Sequence, residues 1–570
     1  MRRKSWWWAI AGLSVAVVAV LVVTALRLDF SGRTRENSVV WGANATLPTN
    51  FFPLISAGSS VATGQLEVQV LPGPFRLRPD LTVAYDADLL SAEPTSAVAG
   101  DRQVVTYRLD PAARWNDGHP MSALDFEFSW RIQRSSDPAR GGCPDLLSTT
   151  GYNQIRSVKG KDGGRTVNVT FSPPYADWRS LFDQQLFPAH VMDRGSAAAN
   201  CAMIRQGWPV AGGIPVSAGP WKIDKASVDV GQGTVVLTPD SAYWGRRPRL
   251  DRLTWQTFSS DASAVVGALA SGEIDVADPE PQLDLIGQLR KLEPGVHTEV
   301  GPALRFDHLD FNMRNVHLRQ KAVRQAIATA LDRPNLVRAT VGQFDPAAQV
   351  LNNRMYVNNQ PEYEDTNDGE YTHGDANAAR RLLEGVGYTL GSDGIYVQSG
   401  KRLSLQLMTT PKDRLRINTI QVIASQLEAA GIEIRTLPNL RIFDDKNTPT
   451  SLESGEFDMA LYAWINAPFV TANRSIYETP DGRSSGQQNY TGAGNSRVDR
   501  LFRDLSAETD PATVTAVANR IDRLMWDDLY TIPLFQRQSI ISYNSAIVNI
   551  GNNPTLVGIG WNANEWELKR

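Results

Sequence analysis

The chain has 570 residues, 42% of them hydrophobic and 21% charged, and a formal net charge of −4. This is the composition of an ordinary globular protein, long enough for two or three domains. With no block of like charge and no basic face, it excludes a protein built to bind nucleic acid.

In chain order, Arg2, Arg3 and Lys4 precede an uncharged run from Trp6 to Leu26. A basic start followed by an apolar stretch is an export signal or a membrane helix. This run is long enough to span a bilayer. Trp6, Trp7 and Trp8 suit the interface, where amphipathic rings are favoured, and the positive-inside rule places the rest of the chain outside the cytoplasm. Two outcomes stay open. Residues 6–26 remain as a single-pass anchor, or a cut near Val23-Thr24-Ala25 releases a secreted chain. Residues 27–38 are polar and rich in arginine, and read as a tether. The only cysteines are Cys143 and Cys201. An even pair in an exported chain points to a disulfide, with two separately buried thiols as the alternative.

Val105 to Trp130 carries the densest local signals. Val105, Tyr107 and Leu109 alternate with polar residues as in a half-buried strand, which Asp110-Pro111 ends. Asn116-Asp117-Gly118 is a turn. Ser122 opens a helix, with Asp125 completing a capping box. Leu124 with Phe128, and Phe126 with Trp130, are spaced to bury a broad face of it. Further on, Val235-Val236-Leu237 and Leu403–Leu407 are strand-like. Residues 319–331 place Ala322, Val323, Ala326, Ile327 and Ala330 on one helical face, and 417–430 repeat the pattern up to Gly431. Asn352–Asp375 is polar and acidic and reads as a long surface loop.

The same residues carry few signatures of catalysis. Gly482-Arg483-Ser484-Ser485-Gly486 fits the nucleophile-elbow pattern, but an elbow needs a strand before it and a helix after it, and its flanks here are polar loop. No histidine pair has metalloprotease spacing, and His297, His308 and His317 fall in separate elements. Glu362, Glu364, Asp365 and Asp368 lack EF-hand spacing. The reading is therefore of a binding protein with no catalytic residue, metal or other cofactor.

The segment from Val105 to Trp130 closely resembles the signature of the family 5 extracytoplasmic solute-binding proteins, the oligopeptide, dipeptide and nickel receptors of ABC importers. Further matches follow in the family's order: Ala218-Gly219-Pro220-Trp221, Tyr243-Trp244-Gly245, Ser271-Gly272-Glu273-Ile274-Asp275, Val323-Arg324-Gln325-Ala326-Ile327, Phe457-Asp458-Met459-Ala460 and Ile532-Pro533-Leu534-Phe535. The resemblance implies an α/β fold of the periplasmic-binding-protein type II, with two lobes, a hinge and three intertwined domains. Domain I would take 39–78, 212–303 and 534–570, domain II 79–211, and domain III 304–533, with hinge crossovers near 303 and 533. It implies the substrate-binding component of an ABC importer for peptides or a related small solute, acting as a monomer on the outer face of the cell membrane beside its permease. Similarity at Trp464–Phe469 and Pro533–Gln536 to an actinobacterial branch suggests a rival role, a non-transport regulator or scaffold of cell-envelope glycolipid assembly. The lipid-anchoring cysteine usual in such relatives is absent.

The family also implies a ligand site. The strand end Tyr462–Phe469 would face the cleft, with Tyr462, Trp464 and Asn466 as stacking and hydrogen-bonding groups. Core packing on an alternating strand is the alternative. The family's peptide receptors carry, three residues after the tryptophan, an aspartate for the ligand's α-ammonium. Here that position is Ala467, which turns the expectation towards a neutral, blocked or glycan-like ligand. Asn44, Phe51 and Phe52 lie in the cleft-lining N-terminal segment, and Asn312 at a domain junction, where backbone support is its commoner role.

Overall fold

The structure is a computed structural model that describes residues 37–183, 185–258, 261–411, 413–444, 447–466, 468–480, 488–555 and 557–569. The expected anchor at 6–26, nearly all of the tether, Ala467 and the 482–486 motif lie outside the described residues.

Two long strands organise the molecule. Val296–Phe311 and Thr531–Asn544 pair antiparallel from Val296↔Asn544 to Asp310↔Thr531. Their register slips between Pro302 and Phe306. Proline offers no ladder donor, and a slip of this kind locally interrupts pairing and bends the ribbon. The Gln536 side chain fills the gap by donating to the Ala303 carbonyl at 2.8 Å. On one side of the slip the sheet continues through Val276–Ala277, Ser38–Ala43, Arg252–Thr257, Thr234–Pro239 and Trp221–Lys222. On the other it continues through Met459–Ile465, Ser404–Thr409 and Glu433–Pro438. Among the described residues, one sheet of eleven strands thus serves two lobes. A separate antiparallel sheet holds Leu90–Ala99, Arg102–Leu109, Thr166–Phe171 and Ile155–Lys161, in that order.

The mixed α/β, two-lobed class expected from the sequence is therefore present. One core gathers Leu309, Ile327, Leu407 and Ile423. Another gathers Tyr107, Trp115, Phe126 and Val169. The largest joins Trp41, Phe52 and Trp255 to Phe128, Phe187, Ile204 and Trp208, so packing is continuous across the boundary expected at 211. Cys143 and Cys201 are joined by a disulfide with their Cα atoms 5.1 Å apart, which fastens the helix Ala197–Gln206 to the loop that follows the helix Ala123–Gln133.

Local readings can be compared directly. Ser122 caps the helix Ala123–Gln133, and Asp125 completes the capping box. The broad buried face needs correcting at Leu124, which is 66% exposed. The helix buries Phe126, Ser129 and Gln133, and at 100° per residue Leu124 falls on the opposite stripe with Glu127 and Arg131. The loop from 352 to 375 also needs correcting, because its first turns are core. Arg354 and Asp522 form a fully buried ion pair at 3.1 Å, and Met355 and Tyr356 pack against Phe502 and Ile521. Polar composition misled there because buried polar groups are tolerated when each finds a partner. The helices Lys321–Ala330 and Arg414–Ala429 form as read, and Gly431, at φ +83°, stops the second.

Candidate functional site

Between the lobes lies a cavity of about 750 Å³. Pro53, Leu54 and Ser59 form one wall. Gln133, Ser148, Tyr152, Tyr175 and Gln185 form a second, and Ala463, Trp464, Ile465, Phe469, Asn473 and Gln488 a third. Among the described lining residues none carries a formal charge. The polar groups are amides and hydroxyls, the set that binds neutral donors and acceptors. Tyr152 is fixed by accepting from the Phe182 N–H at 2.8 Å. Burial, followed by the nearby Asp177 carboxylate, pushes the Tyr175 phenol up to about 12, so it stays a neutral donor at physiological pH.

The structure separates the residues expected at the site. Trp464 lines the cavity. Its indole lies nearly parallel to His308 and Tyr490, at 5.8 and 6.0 Å, with Tyr462 against it edge-on at 5.3 Å. Tyr462 is turned into the protein, where its hydroxyl donates to Asp310 at 2.6 Å. Asn466 is buried, its backbone N–H donating to Leu304 O at 2.8 Å. Strand alternation does not separate them, since Tyr462, Trp464 and Asn466 share one face; the cavity lies at the strand end, where Ala463, Trp464 and Ile465 line it from both faces. Phe51 and Phe52 are fully buried, and Phe52 packs on Phe187 and Trp208 at 5.1 Å each. Their neighbours Pro53 and Leu54 reach the cavity. Asn312 supports backbone, donating to Gly455 O at 2.8 Å and Phe457 O at 2.6 Å. Tyr152, Tyr175 and Gln185 lie in stretches that carry no motif, and Gln133 ends the capping-box helix beyond the residues whose spacing marks its buried face. Phe469 was visible as the end of the strand segment already marked.

Asn44 lines a smaller cavity of about 130 Å³, together with Gln65, Asp278, Glu280, Arg305 and Ile465. Burial pushes the Asp278 carboxyl up to about 6, and it accepts from Trp41 Nε1, Asn44 N and Gln65 Nε2. Glu280 behaves oppositely. Burial raises its pKa, but Arg305 and Arg537 overcome this and hold it down to about 2. Arg537, itself buried, also reaches Asp307 at 3.1 Å and Asp413 at 2.7 Å. Arg416 completes the set with Asp307 at 3.1 Å. This ion network spans the region where the paired strands slip.

The segments that carry Tyr175 and Phe469 also bond to one another directly. Ala176 N–H donates to Ser506 O at 3.0 Å. Asp177 Oδ2 accepts from the Thr471 N–H at 2.9 Å and from the Thr471 hydroxyl. The Tyr175 hydroxyl lies 3.4 Å from Thr471 Oγ1. These bonds form a polar latch beside the cavity, joined to its wall through Tyr175.

A two-lobed α/β molecule with a paired-strand crossover and a latched interlobe cavity has the form of a solute-binding protein. Residues 88–482 match the profile of the bacterial extracellular solute-binding proteins, family 5 Middle, and the chain belongs to that family. The oligopeptide-binding protein OppA of Mycobacterium tuberculosis is 27% identical over 514 residues, covering 88% of this chain and 80% of the relative. The probable monoacyl phosphatidylinositol tetramannoside-binding protein LpqW of the same species is 22% identical, covering 93% and 91%. Among solved structures, the periplasmic EDTA-binding protein EppA superposes with a TM-score of 0.84 at 24% identity, covering 94% of this chain and 97% of that one. The fold is accordingly the type II periplasmic-binding-protein fold.

Proposed function

We propose that this chain is the extracytoplasmic substrate-binding component of an ABC importer and captures an uncharged, amide- or hydroxyl-rich solute, such as a blocked peptide. The observation that carries this reading is the uncharged lining of the 750 Å³ cavity. A ligand ammonium or carboxylate held there would lose hydration and meet no counter-ion among the described lining residues, which is costly. A neutral ligand loses little and finds amide and hydroxyl partners. Capture is a hinge closure about the slip between Pro302 and Phe306, with domains I and III moving as bodies, and requires no chemistry on the ligand. Residues 6–26 would hold the protein, as a monomer, on the outer face of the membrane near its permease. Thermal-shift screening with N-acetylated, C-amidated peptides tests the reading. A stabilisation that saturates supports it, since a ligand that binds only the native state raises stability. Equal stabilisation by the free zwitterionic peptides would refute it.

The second reading is a non-transport role in cell-envelope glycolipid assembly. The observation in its favour is the same neutral, hydroxyl-rich cavity, which also suits a sugar, together with similarity to LpqW. Stabilisation by neutral oligomannosides and no response to any peptide would favour it over import.

A further inference from the structure

Two of the six histidines in the chain meet on the solvent side of the capping-box helix. Asp117 and His119 flank Gly118, whose φ of +93° makes the turn. The His119 N–H donates to Asp117 Oδ1 at 3.1 Å, which fixes the carboxylate. His190 comes from the short helix Ala189–Met192. The first N–H of that helix donates to Asp125 Oδ1 at 2.9 Å, and the other Asp125 oxygen accepts from Ser122 N–H at 2.9 Å. One buried carboxylate therefore holds both helices in place. The two imidazoles stack with centroids 4.0 Å apart and planes at 26°. Asp117 offers one oxygen to each ring, Oδ1 at 3.2 Å from His119 Nδ1 and Oδ2 at 2.7 Å from His190 Nε2.

A hydrogen-bonded clamp does not account for this arrangement. The helices are already joined through Asp125. Metal ligation does account for it. Two imidazole nitrogens and one carboxylate oxygen are the ligand set of open zinc sites. Ligand atoms each about 2.0–2.1 Å from one ion stand roughly 3 Å from each other; here each nitrogen stands at such a distance from a different Asp117 oxygen, so an ion would take the carboxylate through both oxygens or draw the two rings towards one. The candidate ligand atoms of all three residues lie within 4.8 Å of one another. A cavity of about 460 Å³ beside them, bordered by Glu127 and Asp193, leaves room for water or an outside ligand to complete the shell. It shares no lining residue with the solute cavity.

We propose that Asp117, His119 and His190 form a binding site for a divalent first-row transition-metal ion, with zinc as the reference case. The site has three protein ligands and an open position, and the bound ion ties the turn at Gly118 to the helix of His190. The test is zinc titration of the untagged full-length chain against a chromogenic chelator, with His119→Ala, His190→Ala and His373→Ala beside the wild type. His373 is exposed and is not among the residues that border the proposed site. The expected result is one zinc per chain, at least tenfold weaker binding in His119→Ala and His190→Ala, and no change in His373→Ala. Zinc should also raise the melting temperature of the wild type and of His373→Ala but not of His119→Ala. Because His119 is a surface residue, its variant should melt like the wild type without metal, so a lost response reports ligation and not misfolding. Stoichiometric zinc binding that survives in His119→Ala, or its absence in the wild type, overturns the site.

Discussion

The polar latch gives a prediction that can be worked through. Asp177→Ala removes the acceptor of the Thr471 backbone N–H and hydroxyl bonds without touching the cavity wall. Each bond to a charged acceptor contributes roughly 1.5–3 kcal/mol net. Two such bonds to one oxygen are partly offset, because burial raises the Asp177 pKa, so its desolvation opposes closure. The net loss is about 1.5–3 kcal/mol, which corresponds to a closed-to-open ratio lower by roughly 10- to 150-fold. If closure is coupled to capture, ligand affinity falls by up to the same factor. Small-angle scattering measures closure directly. Asp177→Ala should have a larger radius of gyration than the wild type in matched buffer, and saturating ligand should bring the two together. Thr471→Val, which keeps the backbone N–H, should fall between them. An unchanged radius and an unchanged affinity in Asp177→Ala would show that these bonds do not hold the lobes together.

Asp522→Ala leaves the buried Arg354 guanidinium without its partner and should destabilise the protein by about 3–5 kcal/mol, read as a lower midpoint of chemical unfolding. Breaking the disulfide in the Cys143→Ser, Cys201→Ser double variant frees a 58-residue separation. The chain-entropy account gives a loss of about 4 kcal/mol, seen as a lower melting temperature that reductant does not lower further. Glu280 has its pKa held down to about 2 in the folded state. Its pairing therefore stabilises the fold fully above the ordinary glutamate range and is lost as pH falls through that range towards 2. The stability difference between wild type and Glu280→Gln should be largest at neutral pH and shrink on acidification from pH 4.5, measured by urea unfolding at a series of pH values.

Much of the fold was legible because its signals are local. The capping box at Ser122 and Asp125, the alternation through Val105, Tyr107 and Leu109, and the glycine stop at Gly431 each depend on a few neighbouring residues. Leu124 and the stretch from Asn352 were misread for opposite reasons. An apolar residue can sit on the exposed stripe of a helix whose other faces are buried, and a polar stretch can be buried when ion pairs and amides satisfy it. The cleft was only partly legible. Alternation identified the strand ending at Ile465, but the cavity takes Ala463, Trp464 and Ile465 from both faces of its end, which a period of two does not predict. Tyr152, Tyr175, Gln133 and Gln185 reach the cavity through tertiary packing, which no spacing in the sequence encodes. The Asp117–His119–His190 cluster joins residues more than 70 positions apart, of which only Asp117 was marked, as part of a turn.

The central claim is that the interlobe cavity selects a ligand without ionised groups. Its most direct test is native mass spectrometry of gently purified protein, followed by denaturing release and identification of whatever was bound. The account predicts a neutral species, a blocked peptide or an uncharged glycan, displaced when Ser148→Trp fills the cavity. A polyanionic chelate or a free zwitterionic peptide, retained at full occupancy and lost in the same variant, would contradict it.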